Sequence, residues 1–146
     1  MFQGCSSIEE APDVEGFTVT KVNKFDRMFV DCSSMLNPPN IVGWESTEQT
    51  TNLSCMFKNC SSLKGNINLS WFKPGKIYDA SEMFLNCENI DNIYINDFEF
   101  LDVARCSFMF GQCTSLSRIF YDIDLSKVLS KDNTDRMFEG CSSLSH

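Results

Sequence analysis

One short phrase occurs six times in this chain and constrains its fold more than any other feature. The phrase is Met-Phe-x-x-Cys, followed by two mostly small polar residues and then an aliphatic residue. Copies begin at residues 1, 28, 56, 83, 109 and 137, at steps of 26 to 28 residues. A fixed period in the range of about 20 to 50 residues is typical of solenoids and repeat arrays. We therefore interpret residues 1–146 as a single repeat domain that belongs to a longer array.

The first part of each repeat has apolar residues at helical spacing. In the second copy Phe25, Met28, Phe29, Cys32 and Met35 fall at positions i, i+3, i+4, i+7 and i+10. This spacing predicts one stripe of a short helix, which is too short to be stable unless the stripe packs on its neighbours. The predicted buried ladder comprises Met28, Phe29, Cys32, Met56, Phe57, Cys60, Met83, Phe84, Cys87, Met109, Phe110 and Cys113.

The second part of each repeat alternates between apolar and polar residues, which predicts a short strand. Ile93 and Ile95 give the clearest example, and Ile67 with Leu69 repeats the phase one period earlier. A strand and a helix in every repeat predict a right-handed β-α solenoid of about five rungs. The expected fold class is thus α/β, with a parallel sheet on one face and short helices on the other.

The phrase M-F-x-x-C-S-S-L, followed by L-x-x-L-x-L-x-x-F at this period, resembles the BspA-type leucine-rich repeat of bacterial surface proteins. The resemblance covers essentially the whole chain, although the segment that follows each strand is more variable than in the family. It implies a leucine-rich-repeat-like solenoid and a role in extracellular display, adhesion and protein–protein contact.

Strand alternation also predicts a candidate binding surface. If Ile93, Ile95, Ile119 and Tyr121 point inward, their neighbours point outward. The candidate binding residues are Asn68, Tyr94, Asn96, Phe120 and Asp122. Exposed aromatic rings beside Asn and Asp are typical of a protein or sugar contact. The alternative is that the next repeat or an adjacent loop covers Phe120.

The sequence offers no catalytic residues, no metal site and no cofactor motif. His146 is the only histidine, which removes nearly every histidine-based catalytic or zinc site. Adjacent helices would lie roughly 8–10 Å apart, too far for disulfides, so the ladder cysteines are expected to be free and buried. Cys55 lies off the stripe and is the expected exposed thiol. The protein is therefore predicted not to be an enzyme.

Charge and hydropathy limit the possible partners. The formal net charge is −8, which disfavours nucleic acid, and no apolar run approaches the 18 or so residues of a membrane helix. No basic and apolar leader precedes the first phrase, so we expect no signal peptide within these residues. We expect a non-enzymatic module that binds a protein or glycan at a microbial surface. The alternative is a structural assembly or virion-associated protein that stacks end to end, because neither end offers a distinct cap.

Overall fold

The computed structural model describes residues 1–121 and 133–145, and this part of the chain is built from strands and turns. Its elements are β1 (Thr50–Asn52), β2 (Gly65–Asn68), β3 (Lys76–Asp79), β4 (Ile90–Tyr94), β5 (Glu99–Arg105) and β6 (Arg118–Phe120). No helix is present among these residues. The prediction of an α/β solenoid with short helices is therefore wrong.

The six strands form two parallel sheets, in the orders β1-β3-β5 and β2-β4-β6. Each strand pairs with the strand one repeat later, as in the register Ile67↔Ile93↔Ile119. Isolated parallel bridges, Lys24↔Asn52 and Glu45↔Lys73, carry the pairing into earlier repeats. The repeats are thus stacked as parallel coils, and each complete coil contributes one strand to each sheet.

The Met-Phe phrase forms consecutive tight turns where helices were predicted. In the second copy, the N–H of Met28 donates to the Phe25 carbonyl and the N–H of Cys32 donates to the Phe29 carbonyl. Arg27 and Asp31 have φ of 56° and 61°, and equivalent residues in the later copies share this left-handed conformation. A right-handed helix cannot continue through such residues.

Many N–H groups of these turns donate to carbonyl groups of the next coil. In a helix the same N–H groups would pair within the helix. Phe29 N–H donates to the Met56 carbonyl at 2.9 Å, and Asp31 N–H donates to the Lys58 carbonyl at 2.9 Å. The same direction, towards the next coil, recurs at Phe57, Phe84 and Phe110. Successive turns return the chain to one face every three or four residues. This explains why the apolar spacing resembled that of a helix.

The predicted ladder residues form the centre of the core. All of them are buried, and the phenylalanines stack in one column with ring centroids 5.4–5.8 Å apart from Phe2 to Phe138. A second aromatic cluster lies beside the sheets, where Phe72 contacts Phe25, Trp44 and Phe98. Each coil therefore buries its apolar side chains mainly against the coils before and after it.

All eight cysteines are free thiols. In five of them the Sγ donates to the carbonyl of the phrase phenylalanine in the preceding coil: Cys32, Cys60, Cys87, Cys113 and Cys141. Cys60 Sγ donates to the Phe29 carbonyl at 3.1 Å, and Cys87 and Cys113 repeat the contact one coil later each time. Adjacent coils are spaced like paired β-strands, about 4.8 Å apart, and not roughly 8–10 Å apart as expected for packed helices. Burial raises the pKa of Cys60 and of Cys113 to about 12, so both are protonated at neutral pH.

The left-handed turn position gives a direct test of this geometry. Gln112 has φ of 58°, whereas the equivalent positions of the first and last coils hold Gly4 and Gly140. Gln112→Val is expected to lower the free energy of unfolding by about 1–2 kcal/mol, because a β-branched residue clashes in this conformation. Urea unfolding measures the change.

Gln112→Gly is the matched control and should change the free energy of unfolding by less than about 1 kcal/mol. If valine is tolerated as well as glycine, residue 112 does not adopt the left-handed conformation and the turn assignment fails.

Candidate binding surface

Strands β2, β4 and β6 bring three of the predicted site residues into one outward column. Asn68 pairs with Tyr94, and Tyr94 pairs with Phe120, in the parallel register of the sheet. The preceding residues, Ile67 and Ile93, are fully buried. Because side chains alternate along a strand, the inward isoleucines direct Asn68, Tyr94 and Phe120 away from the core.

The rings of Tyr94 and Phe120 form the centre of this surface. Their centroids are 4.3 Å apart and their planes differ by 2°, and both side chains are partly exposed. The rings therefore pack on each other and still leave apolar surface open to a ligand. Such a half-exposed aromatic pair can contact an apolar side chain or the face of a sugar ring.

Polar side chains continue the column into the earlier coils in a fixed conformation. Asn68 Oδ1 accepts a hydrogen bond from the Ser70 N–H at 3.0 Å, and Asn40 Oδ1 accepts one from the Val42 N–H at 3.2 Å. Asp13 makes the equivalent bond in the first coil. Each side chain is thus held by its own turn, which lowers the entropy lost when a ligand binds.

Asn96 lies on a neighbouring outward column, where it is exposed. Its Oδ1 lies 3.5 Å from the hydroxyl of Ser70, which donates a long hydrogen bond. The remaining candidate, Asp122, lies outside the described residues. The structure therefore brings Asn68, Tyr94, Asn96 and Phe120 onto one side of the stack.

Trp71 was missed by the sequence reasoning, although it lies beside this surface. Its side chain is 62% exposed, and it directly follows Ser70. Alignment of the repeats could have identified Trp71, because the equivalent positions in the adjacent coils hold Gly43 and Asp97. A large aromatic at a corner filled by glycine or aspartate elsewhere indicates an exposed ring.

The predicted inward orientation of Tyr121 is wrong. Its side chain is 41% exposed, whereas Ile95 at the equivalent position one coil earlier is buried. Strand β6 ends at Phe120, so Tyr121 is not held in the strand register that buries Ile95. The exposed aromatic surface therefore extends beyond Phe120 towards the end of the stack.

Cys55, the predicted exposed thiol, is only partly exposed. Its Sγ lies 3.8 Å from Oε2 of Glu82, which also pairs with Lys58. Burial, followed by the negative charge of Glu82, raises the pKa of Cys55 above its ordinary value. This environment disfavours the thiolate, which is the nucleophilic form of cysteine.

Across 1–121 and 133–145, no three His, Cys, Asp or Glu side chains are grouped so that they could hold a metal ion. Within the same ranges, no helix is long and apolar enough to cross a membrane.

The stacked parallel coils and the outward columns define a repeat protein with an extended lateral surface. The chain belongs to the family described as "Mycoplasma protein of unknown function, DUF285", whose sequence profile matches residues 1–71 and 36–146. Overlapping matches are expected where one repeated unit fits the profile more than once. Comparison with curated proteins and with solved structures returned no match.

Proposed function

We propose that this protein is a non-enzymatic binding module that uses its lateral surface to contact a protein or glycan. The observation that carries the proposal is the stacked, partly exposed ring pair of Tyr94 and Phe120. Aromatic side chains that are held in place provide large contact area at little cost in conformational entropy, which is why they are enriched at binding sites.

The polar surroundings suit a ligand that presents hydroxyl or amide groups. Asn68 and Asn96 flank the rings, and both are exposed. Oδ1 of Asn68 is already held by its turn, so its amide group is directed outward with few conformations to lose. Apolar rings bordered by fixed amides match the usual anatomy of a contact site, which has an apolar centre and a polar rim.

The proposed place of action is a microbial cell surface. Support comes from the M-F-x-x-C-S-S-L phrase and its resemblance to the BspA-type repeat, whose family implies extracellular display and adhesion. The likeness lies in the phrase and its period and does not extend to helices.

Binding to immobilised mucin, before and after chemical deglycosylation, tests the proposal with a probe that carries both ligand classes. The double variant Tyr94→Ala/Phe120→Ala should bind about tenfold more weakly, because the apolar centre of the contact is removed. Loss of binding on deglycosylation would identify a glycan ligand, and retention would identify a protein ligand.

Tyr78→Ala is the matched control, since Tyr78 is a partly exposed aromatic on the other sheet, in β3. It should bind as the unchanged protein does. Equal binding by the double variant and the unchanged protein, with both folded by circular dichroism, would refute the proposed surface.

A further inference from the structure

A polar groove borders the outward face of β2 and β4, within a stretch that the structure describes without interruption. It has a volume of about 780 Å³ and is lined by residues of four successive coils, from Leu36 to Ser115. Ser62, Asn89 and Ser115 occupy the same position in three of these coils. The groove therefore runs along the stack and across the strands, over a length of about 14 Å for three steps between coils.

The lining of the groove is polar and carries no net charge. Lys64 and Asp91 are its charged residues, and their charges have opposite signs. The other polar side chains offer amide and hydroxyl groups, which donate or accept hydrogen bonds without attracting an ion. They belong to Asn37, Ser62, Asn66, Asn89 and Ser115.

Hydrogen bonds between coils fix two amides of the groove and leave one group of each free. Nδ2 of Asn92 donates to Oδ1 of Asn66 at 2.7 Å, and Nδ2 of Asn89 donates to the Ser61 carbonyl at 2.7 Å. Within the described ranges, Nδ2 of Asn66 and Oδ1 of Asn89 have no hydrogen-bond partner. A donor and an acceptor are thus held ready for a ligand, which lowers the entropy lost on binding.

Asp91 adds a free carboxylate to the same groove. Its side chain is exposed and forms neither an ion pair nor a hydrogen bond with the described part of the chain. The two oxygens of a carboxylate can accept from two adjacent hydroxyl groups, an arrangement that sugar rings present. The groove therefore matches a ligand that is rich in hydroxyl groups.

We propose that this groove binds a neutral, extended β-1,4-linked oligosaccharide, which lies along the stack. Asp91 and Oδ1 of Asn89 accept hydrogen bonds from sugar hydroxyl groups, and Nδ2 of Asn66 donates one. One sugar unit of such a chain is about as long as one step between coils, so successive units meet equivalent positions on successive coils. The site rests on the proposed function, because it borders the sheet face that carries Tyr94 and Phe120, and it makes the ligand a glycan.

A peptide fits this groove less well than a glycan. An extended peptide binds a sheet through a ladder of backbone hydrogen bonds, which requires it to run parallel or antiparallel to the strands. A ligand that lies along this groove crosses the strands instead. Because the lining has no net charge, it also offers little attraction to a strongly charged segment.

Isothermal titration calorimetry of the complete 146-residue chain with chitohexaose and with cellohexaose tests the site. Both probes are neutral, extended and β-1,4-linked, and the first carries acetamide groups that the second lacks. At least one of them should bind saturably. Maltohexaose is the comparison ligand, because it has the same number of sugar units in a curved, α-linked chain and should bind at least about tenfold more weakly.

Two variants locate the binding in the groove. Asn66→Ala/Asp91→Ala removes a donor and a carboxylate and should weaken hexasaccharide binding about tenfold or more. Asn66→Asp keeps the oxygen that accepts from Asn92 and removes only the free donor, so it should weaken binding severalfold without changing the fold. Asn23→Ala/Glu99→Ala is the matched control, since both residues are exposed, lie outside the groove and give the same change in charge. Circular dichroism checks that all three variants fold.

Each outcome decides the proposal. Saturable binding of an extended hexasaccharide that both groove variants weaken, and the control does not, supports it. No binding of either extended probe, equal binding of maltohexaose, or equal binding by the groove variants and the unchanged chain overturns it.

The mucin experiment separates this site from the proposed function. Mucin binding that depends on Tyr94 and Phe120, without binding of either extended hexasaccharide, would overturn the groove alone. Hexasaccharide binding through Asn66 and Asp91, with mucin binding unchanged in Tyr94→Ala/Phe120→Ala, would refute the aromatic pair alone.

Discussion

Phe84→Ala is expected to lower the free energy of unfolding by about 3–5 kcal/mol. Phe84 is fully buried, and its ring stacks between Phe57 and Phe110 at centroid distances of 5.6 and 5.8 Å. The substitution removes one phenylalanine ring from the column and leaves a cavity. The neighbouring coils cannot close this cavity, because backbone hydrogen bonds fix the distance between successive coils. Urea unfolding followed by circular dichroism measures the loss.

The same substitution should also divide the stack. Stability in repeat proteins passes between nearest neighbours, so a weakened central coil separates the coils on its two sides. Hydrogen exchange should show reduced protection in the coils that adjoin residue 84, beyond the substituted coil itself. Phe138→Ala is the matched control, since Phe138 belongs to the same column but is partly exposed at its end. If both variants lose the same free energy of unfolding, or Phe84→Ala loses under about 1 kcal/mol, the stacked phenylalanines do not stabilise the core as described.

Stability should fall steeply as the pH rises above about 9. Burial raises the pKa of Cys60, Cys106 and Cys113 to about 12, from the ordinary value of 9.0. Between these values the unfolded chain loses thiol protons that the folded chain retains, so alkaline conditions favour unfolding. Below pH 9 both states are protonated and the full stability is present. The expected slope is about 1.4 kcal/mol per pH unit for each such thiol.

Urea unfolding between pH 7 and pH 10.5 measures this slope. Cys106→Ala should reduce this slope by about 1.4 kcal/mol per pH unit, because Cys106 is fully buried. Cys106 is not the cysteine of a Met-Phe-x-x-Cys phrase, so its removal leaves the hydrogen bonds of those cysteines in place. Ile95→Val is the control and should leave the slope unchanged within error, because it alters a buried side chain that carries no titratable group. A flat profile up to pH 10.5 would contradict the burial of these thiols.

The sequence allowed the repeat period, the buried ladder positions and the strand register of the second sheet to be predicted. The period places Asn68, Tyr94 and Phe120 one repeat apart, and parallel pairing then makes them neighbours. Burial of Phe29, Phe57 and Phe84 follows from the same phase. These predictions hold because they depend on the repeat distance and on apolar character, which do not require knowledge of the local backbone.

The backbone conformation of the phrase could not be predicted in the same way. A stack of tight turns and a short helix both return apolar residues to one face at spacings of three and four. At the first left-handed position stand Arg27, Cys55, Glu82 and Phe108, none of which signals a positive φ. The second position was more informative, since it holds only Gly, Asp, Asn or Gln in the six copies, and Gly and Asn favour this conformation.

The hydrogen bonds between turns give the stack an electrical polarity. The N–H groups of Phe29, Phe57, Phe84 and Phe110 all point towards the carboxyl-terminal end of the column, and the carbonyls that accept them point back. Aligned peptide dipoles add, as they do along a helix, whereas the alternating dipoles of the flanking sheets largely cancel. The end that carries Phe138 is therefore the positive pole of an otherwise acidic protein, and the end that carries Phe2 is the negative pole. Anionic groups should consequently be held more favourably at the first of these ends, and added salt should weaken that preference.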